Sequence, residues 1–211
     1  MTRPRVLIRS DHLGHLTLEG RQALAAYGVT TVIDLRSAAE LLSSPNPFAD
    51  GAAATYVHAE LIDDAHMNNI GDAGNMLERY LFILQERHSA FGQVFNSMAK
   101  ADGGVLFHCF AGKDRTGIIA AMLLSLAGVA PVDIAADYGE TDLQLAGRYE
   151  LWISEAPPDR REKFRDELRC PPERILGVLD FLETKWGGVA TYLEAAGMTP
   201  AYIDRLSAKL T

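Results

Sequence analysis

The chain has 211 residues, 48% of them hydrophobic and 23% charged, with a net charge of −8 at neutral pH. This is the composition of a folded globular domain, and the acidic balance argues against nucleic acid, whose affinity comes mainly from Lys and Arg neutralising phosphates. A small anionic substrate is still allowed, because a local cationic pocket can coexist with an acidic surface.

Only two cysteines occur, Cys109 and Cys170, in unrelated surroundings. They form neither a disulfide framework nor a CxxC metal cluster, and they suggest a reducing cytoplasm. The opening "MTRPRVLIRSD" has an apolar run too short for a signal peptide. The longest apolar stretch, "GIIAAMLLSLAGVAPV", falls short of the roughly 20 residues that cross a bilayer. It reads as a buried helix, and no stable membrane insertion is expected.

In chain order, Val6–Arg9 reads as a short strand and "HLTLEGRQALAAYG" as a helix, with Thr17 as N-cap and Gly28 as left-handed terminator. "VTTVIDL" (Val29–Leu35) is β-branched and apolar on both faces, as a central strand requires. "SAAE" (Ser37–Glu40) has capping-box spacing and starts a brief helix. "SSPNPFADGAA" is a loop, and "TYVHAEL" (Thr55–Leu61) another strand. A long polar loop, "IDDAHMNNIGDAGN", has the length at which connections often carry function. Helices over Met76–Arg87 and Ala90–Lys100 precede the buried strand "GGVLFH" and the apolar helix Arg115–Ala127. Past Pro131 only helical patterns appear. The order predicts one α/β domain over residues 1–211: a mostly parallel central sheet flanked by helices, with a helical C-terminal part from about residue 131.

The chemistry concentrates in "HCFAGKDRTG", His108–Gly117, between the buried strand and the apolar helix. A helix N-terminus aims unpaired N–H groups and a positive partial charge at the loop before it. Gly112 lets the amides of Phe110, Ala111, Lys113 and Asp114 turn inward as an anion nest. A cysteine in that field loses its proton easily. Arg115 can fold back across the loop, and its planar fork can hold two phosphate oxygens as charge builds. These parts describe attack of Cys109 on phosphorus, giving a phosphocysteine that water hydrolyses. Thr116 is placed to donate its hydroxyl to Cys109. His108 points to the opposite strand face, so it is expected to be buried and to fix the loop rather than take a proton. Gly112-Lys113 is followed by Asp114 rather than Ser or Thr, which rules out a Walker A loop.

The loop resembles the Cys-x5-Arg-Thr phosphate loop of cysteine-dependent phosphatases. Its Gly-Lys-Asp-Arg form is similar to that of the atypical bacterial tyrosine phosphatases, some of which also act on phosphoinositides. "IRSDHLGHLT", "VTTVIDLRSAAE", "AADY" and "WGGVATYLEAAGMTPAYIDRL" resemble other segments of that family. The family's Asn-Phe-Arg-Asp-like strand and hairpin upstream of the Arg-Ser segment has no counterpart here, so the N-terminal sheet edge is expected to differ. The resemblance implies a phosphotyrosine-phosphatase-like fold and a phosphomonoester hydrolase without metal or cofactor. Its substrate would be a phosphotyrosine protein, with a phosphoinositide or inositol phosphate as alternative. A phosphate-binding module without turnover is the non-enzymatic alternative, disfavoured because binding alone has no use for a thiolate.

The proton donor to the leaving oxygen lies outside the loop's certain members. The family's acid falls seven residues past the Val of the preceding strand, which from Val57 is Asp64. Asp63 and Asp114 are the other candidates, although an acid beside a phosphate suits orientation of water better. Lys113 reads either as a solvated lysine or as an anchor for a multiply phosphorylated headgroup. Asp34 and Arg36 read as a buried ion pair bracing the loop, with substrate contact as the alternative. Cys170 is expected at a helix start with no role, and His58, His66 and His88 lack ligand spacing.

Overall fold

The computed structural model describes residues 2–66 and 74–211. Strands β1 (Leu7–Ser10), β2 (Val29–Asp34), β3 (Thr55–His58) and β4 (Gly104–His108) form one sheet in the order β1-β4-β2-β3, every pairing parallel. Parallel neighbours need long crossovers. Helix α1 (Leu18–Tyr27) joins β1 to β2, α2 (Ala38–Ser43) follows β2, and α3 (Met76–Glu86) and α4 (His88–Lys100) precede β4. Beyond β4 come α5 (Asp114–Leu126), α6 (Pro131–Glu155), α7 (Arg161–Leu168), α8 (Pro172–Trp186), α9 (Val189–Ala195) and α10 (Pro200–Leu210). The chain is therefore α/β with a helical C-terminal region, as its alternation of patterns implies. No helix among the described residues is long and apolar enough to cross a membrane.

Local signals explain most boundaries. The Thr17 hydroxyl accepts from Gly20 N at the start of α1, and Gly28 ends it with φ 102°. Ser37 and Glu40 close a reciprocal capping box on α2. The strand expected over Thr55–Leu61 stops at His58. The chain beyond still bonds to β2, through Ala59 N to Asp34 O and Leu61 N to Leu35 O, but Glu60 turns out to accept from Ala38 N. Of the polar stretch 62–75, residues 64–66 are helical, and 67–73 lie outside the described residues.

All five residues of β4 are buried. Val105 and Phe107 face the main core with Phe91, Phe95 and Ile118 from α4 and α5, while Leu106 faces a smaller cluster with Leu13, Val32 and Phe48. This two-residue alternation continues into Cys109, which packs with the helical layer. Both faces of β4 are thus filled, and its C-terminal end is where an open parallel sheet places ligands.

The α4 helix reaches its neighbour through Gly92. A Cβ there would lie 2.0 Å from the Ala196 carbonyl oxygen at the end of α9. Gly92→Ala should lower stability by about 1–3 kcal/mol, as overpacking against backbone does, and a urea unfolding midpoint equal to wild type would show that α9 yields freely.

Candidate active site

Cys109 leaves β4 2% exposed, and five residues later Asp114 opens the 13-residue α5, whose N-terminal end faces the loop and favours an anion there. Gly112 has φ 67°, and a Cβ on it would lie 2.6 Å from Ser10 O and 2.8 Å from Asp11 N. The turn therefore needs glycine both for its left-handed backbone and for the close approach of the chain after β1. That approach is tied down at several points. Arg9 donates through Nη2 to Gly112 O (3.0 Å) and to the Thr141 hydroxyl (3.1 Å), and through Nη1 to Asp137 of α6 (2.7 Å). His12 N donates to Phe110 O (3.0 Å), and the two rings stack 5.0 Å apart.

Beneath the loop lies a fully buried polar cluster. His108 Nδ1 donates to Cys109 O (2.9 Å). That bond fixes the proton on Nδ1 by inference from the network and leaves Nε2 to accept from Asn46 Nδ2 (2.9 Å). Burial lowers the His108 pKa, consistent with this neutral ring. Arg36 forks onto Asp34 through Nε (3.0 Å) and Nη2 (2.8 Å) and donates through Nη1 to Ser44 O (2.9 Å). Burial alone would raise the Asp34 pKa, but hydrogen bonds from Arg36 and Asn46 outweigh it and hold it low. Asp34, Arg36 and His108 are all 0% exposed, and the Asp34–Arg36 pair lies beneath the loop rather than at its surface.

Arg115 is held by a residue that pattern reading assigned only to helix capping. Its side chain is 8% exposed, and both ends of its fork meet Glu40, Nη1 to Oε2 at 2.5 Å and Nη2 to Oε1 at 2.7 Å. The same Glu40 Oε2 accepts from Ser37 N (2.8 Å) to complete the capping box. Burial would raise the Glu40 pKa, but Arg115 outweighs it and keeps the carboxylate ionised. The missed signal was chemical. A buried arginine fork is best matched by a carboxylate, and the first acid past the end of β2 is Glu40.

Other expectations need correction. Thr116 is 0% exposed and its hydroxyl has no hydrogen-bond partner, so the expected bond to Cys109 is not formed and a buried donor at the loop's end stays uncommitted. Lys113 is neither solvated nor a free anchor: its Nζ donates to Glu167 O (2.8 Å) and pairs with Asp114 (2.8 Å). The physical reason is that the last carbonyls of α7 lack helical partners and take this cation instead.

The three candidate acids separate by environment. Asp114 faces Lys113 and the Tyr80 hydroxyl, which in turn meets Tyr138 (2.9 Å). Burial would raise its pKa, but Lys113 and Tyr80 outweigh it and keep it ionised. Asp63 accepts from the His66 amide (2.9 Å) and ring (2.7 Å) and pairs with Arg87 (2.7 Å). The His66 bonds hold it low. Asp64 is exposed, and its Oδ2 accepts from Ala39 N (3.2 Å), one residue before Glu40. Cys170 lies before α8, and burial pushes its thiol up to about 11. Beside the loop opens a cavity of about 840 Å³, bounded by Phe110, Ala111 and the chain from the end of α6 through α7.

If Arg115 acts only when aimed, Glu40→Gln should lower kcat/KM for p-nitrophenyl phosphate by about ten- to a hundredfold, the scale of losing one oriented charged contact. Gln retains the capping-box bond, so α2 should persist. A wild-type rate would mean that the loop alone positions Arg115.

The whole chain, residues 1–211, matches the model of a tyrosine phosphatase family. It is similar to a tyrosine-protein phosphatase of Nostoc commune, with 35% identity over 215 residues, 96% of this chain and 73% of that protein. It is also similar to the triple specificity protein phosphatase PtpB of Mycobacterium tuberculosis, with 27% identity over 249 residues, covering 97% and 90% of the two chains. The match spans the sheet, the Cys109–Arg115 loop and the C-terminal helices alike, and the chain belongs to the tyrosine phosphatase family, as a tyrosine-phosphatase-type hydrolase.

Proposed function

We propose that this hydrolase cleaves phosphotyrosine in proteins through a phosphocysteine intermediate, with Cys109 as nucleophile, Arg115 as phosphate clamp and Asp64 as general acid. The observation that carries the reading is the buried, bidentate Glu40–Arg115 pair beside a buried cysteine at a helix N-terminus. Glu40 takes one hydrogen from each Nη of the guanidinium, and the remaining N–H groups of the fork are free for phosphate oxygens.

In the first step the Cys109 thiolate attacks phosphorus in line, the S–P bond forms and the P–O bond to the leaving oxygen breaks. The leaving oxygen takes its proton from Asp64. In the second step water attacks the phosphocysteine, gives a proton back to the Asp64 carboxylate, and the thiolate departs with phosphate released. Asp64 is the acid that the resemblance to the family points to, and its carboxylate accepts from Ala39 N in the first turn of the helix that carries Glu40. The uncommitted Thr116 hydroxyl is available to support the departing thiolate once phosphate is seated.

A phosphoprotein is favoured over a phosphoinositide because Lys113, the expected headgroup anchor, is consumed by Glu167 and Asp114. Two free thiols and a mechanism that fails on oxidation suit a reducing cytoplasm.

Cys109→Ser should abolish turnover of phosphotyrosine peptides while leaving them bound, and acid quenching of wild type should trap label on Cys109. Turnover by the serine variant near the wild-type rate would remove Cys109 from the mechanism. Asp64→Asn should reduce turnover of an alkyl or phenyl phosphate by about 10²–10³-fold and of p-nitrophenyl phosphate far less, since a good leaving group needs little protonation. An equal loss on both substrates would reassign the acid.

A further inference from the structure

The loop has a neighbour that the proposed chemistry does not use. The cavity beside it has an apolar floor of Met76, Trp152, Phe164 and Leu168, and its near wall is Phe110 and Ala111 of the loop itself. Lys113 and Arg79, which also line it, are committed, the first to Asp114 and the second to Glu167 (3.0 Å). Arg160 and Lys163 are not. The Arg160 guanidinium is exposed and takes no partner among the described residues. Lys163 is 72% exposed and comes only within 3.9 Å of Glu167, a carboxylate that Arg79 already occupies. Glu155 is the one lining carboxylate without a cation of its own among the described residues. A chain of net charge −8 thus gathers a local positive excess against an apolar surface, next to its phosphate loop.

We propose that this cavity receives the residues flanking phosphotyrosine in a phosphoprotein, and that Arg160 and Lys163 select acidic side chains there; the inference rests on the phosphotyrosine-phosphatase reading above. Continuity supports it. Phe110 and Ala111 belong both to the loop and to the cavity wall, so a peptide with its phosphate in the loop has the cavity within reach of its neighbouring residues. Charge complementarity supports it too, because two uncommitted cations meet acidic side chains favourably and repel basic ones. The apolar floor distinguishes a peptide from an inositol phosphate, which has no hydrophobic side chain to bury.

The test uses phosphotyrosine peptides of equal length, one flanked by Asp and Glu and one by Asn and Gln, compared by kcat/KM at low ionic strength. Wild type should prefer the acidic peptide by roughly fivefold to tenfold, the scale of two exposed ion pairs. Salt should shrink that ratio. The double variant Arg160→Glu/Lys163→Glu should erase or invert it, and Arg160→Lys, which keeps the charge, should retain most of it. An equal ratio in wild type and the double variant overturns the proposal. So does a loss confined to a soluble inositol polyphosphate, which would make the surface a headgroup reader. Absence of all turnover by wild type, p-nitrophenyl phosphate included, would instead refute the phosphatase reading on which the proposal rests.

Discussion

A guanidinium that leaves water must find acceptors or lose its hydrogen bonds, and Arg115, with a side chain 8% exposed, finds both oxygens of Glu40. The geometry of the site depends on this pair. Glu40 stands in the first turn of α2, α2 starts just beyond the end of β2, and β2 lies beside β4, which delivers Cys109. The proposed nucleophile and clamp therefore come from one strand–loop–helix unit, and the group that aims the clamp comes from the exit of the adjacent strand.

The rest of the surroundings hold the loop still before any phosphate arrives. His108, Asn46, Asp34 and Arg36 fill the space below with bonds that are all internal. Arg9 and His12 hold the side facing β1, and Lys113 and Tyr80 link it to α7 and α3 through Asp114 and Glu167. Donors fixed in advance stabilise developing charge without reorganising at the moment of reaction. Several strongly polar residues here are consequently bonded to one another and to the loop's backbone.

Much of this was readable from the chain order. The capping signals at Thr17, Ser37 and Gly28, the β-branched run Val29–Asp34 and the alternation through β4 each act over a few residues, and each appears where its local chemistry requires. The reach of Arg115 to Glu40, 75 positions away, was not readable. Nor was the exchange of Lys113 from solvent or ligand to the end of α7, 54 positions on. Spacing reports local periodicity, whereas these partners are set by how helices pack across the sheet. Thr116 illustrates a different limit: it stands in the first turn of α5, and its hydroxyl direction depends on atoms that only the folded state brings near.

Helix α2 has six residues, none of them buried. So short a segment has little helical stability of its own, and its opening belongs to the low-energy local fluctuations of a folded protein rather than to global melting. Yet it carries the only carboxylate that orients Arg115 among the described residues. Opening of this one turn would release Arg115 from its carboxylate. On warming, the rate should fail while the sheet and its helical layer are still intact, and adding bulk to the core would not extend the working range of the enzyme.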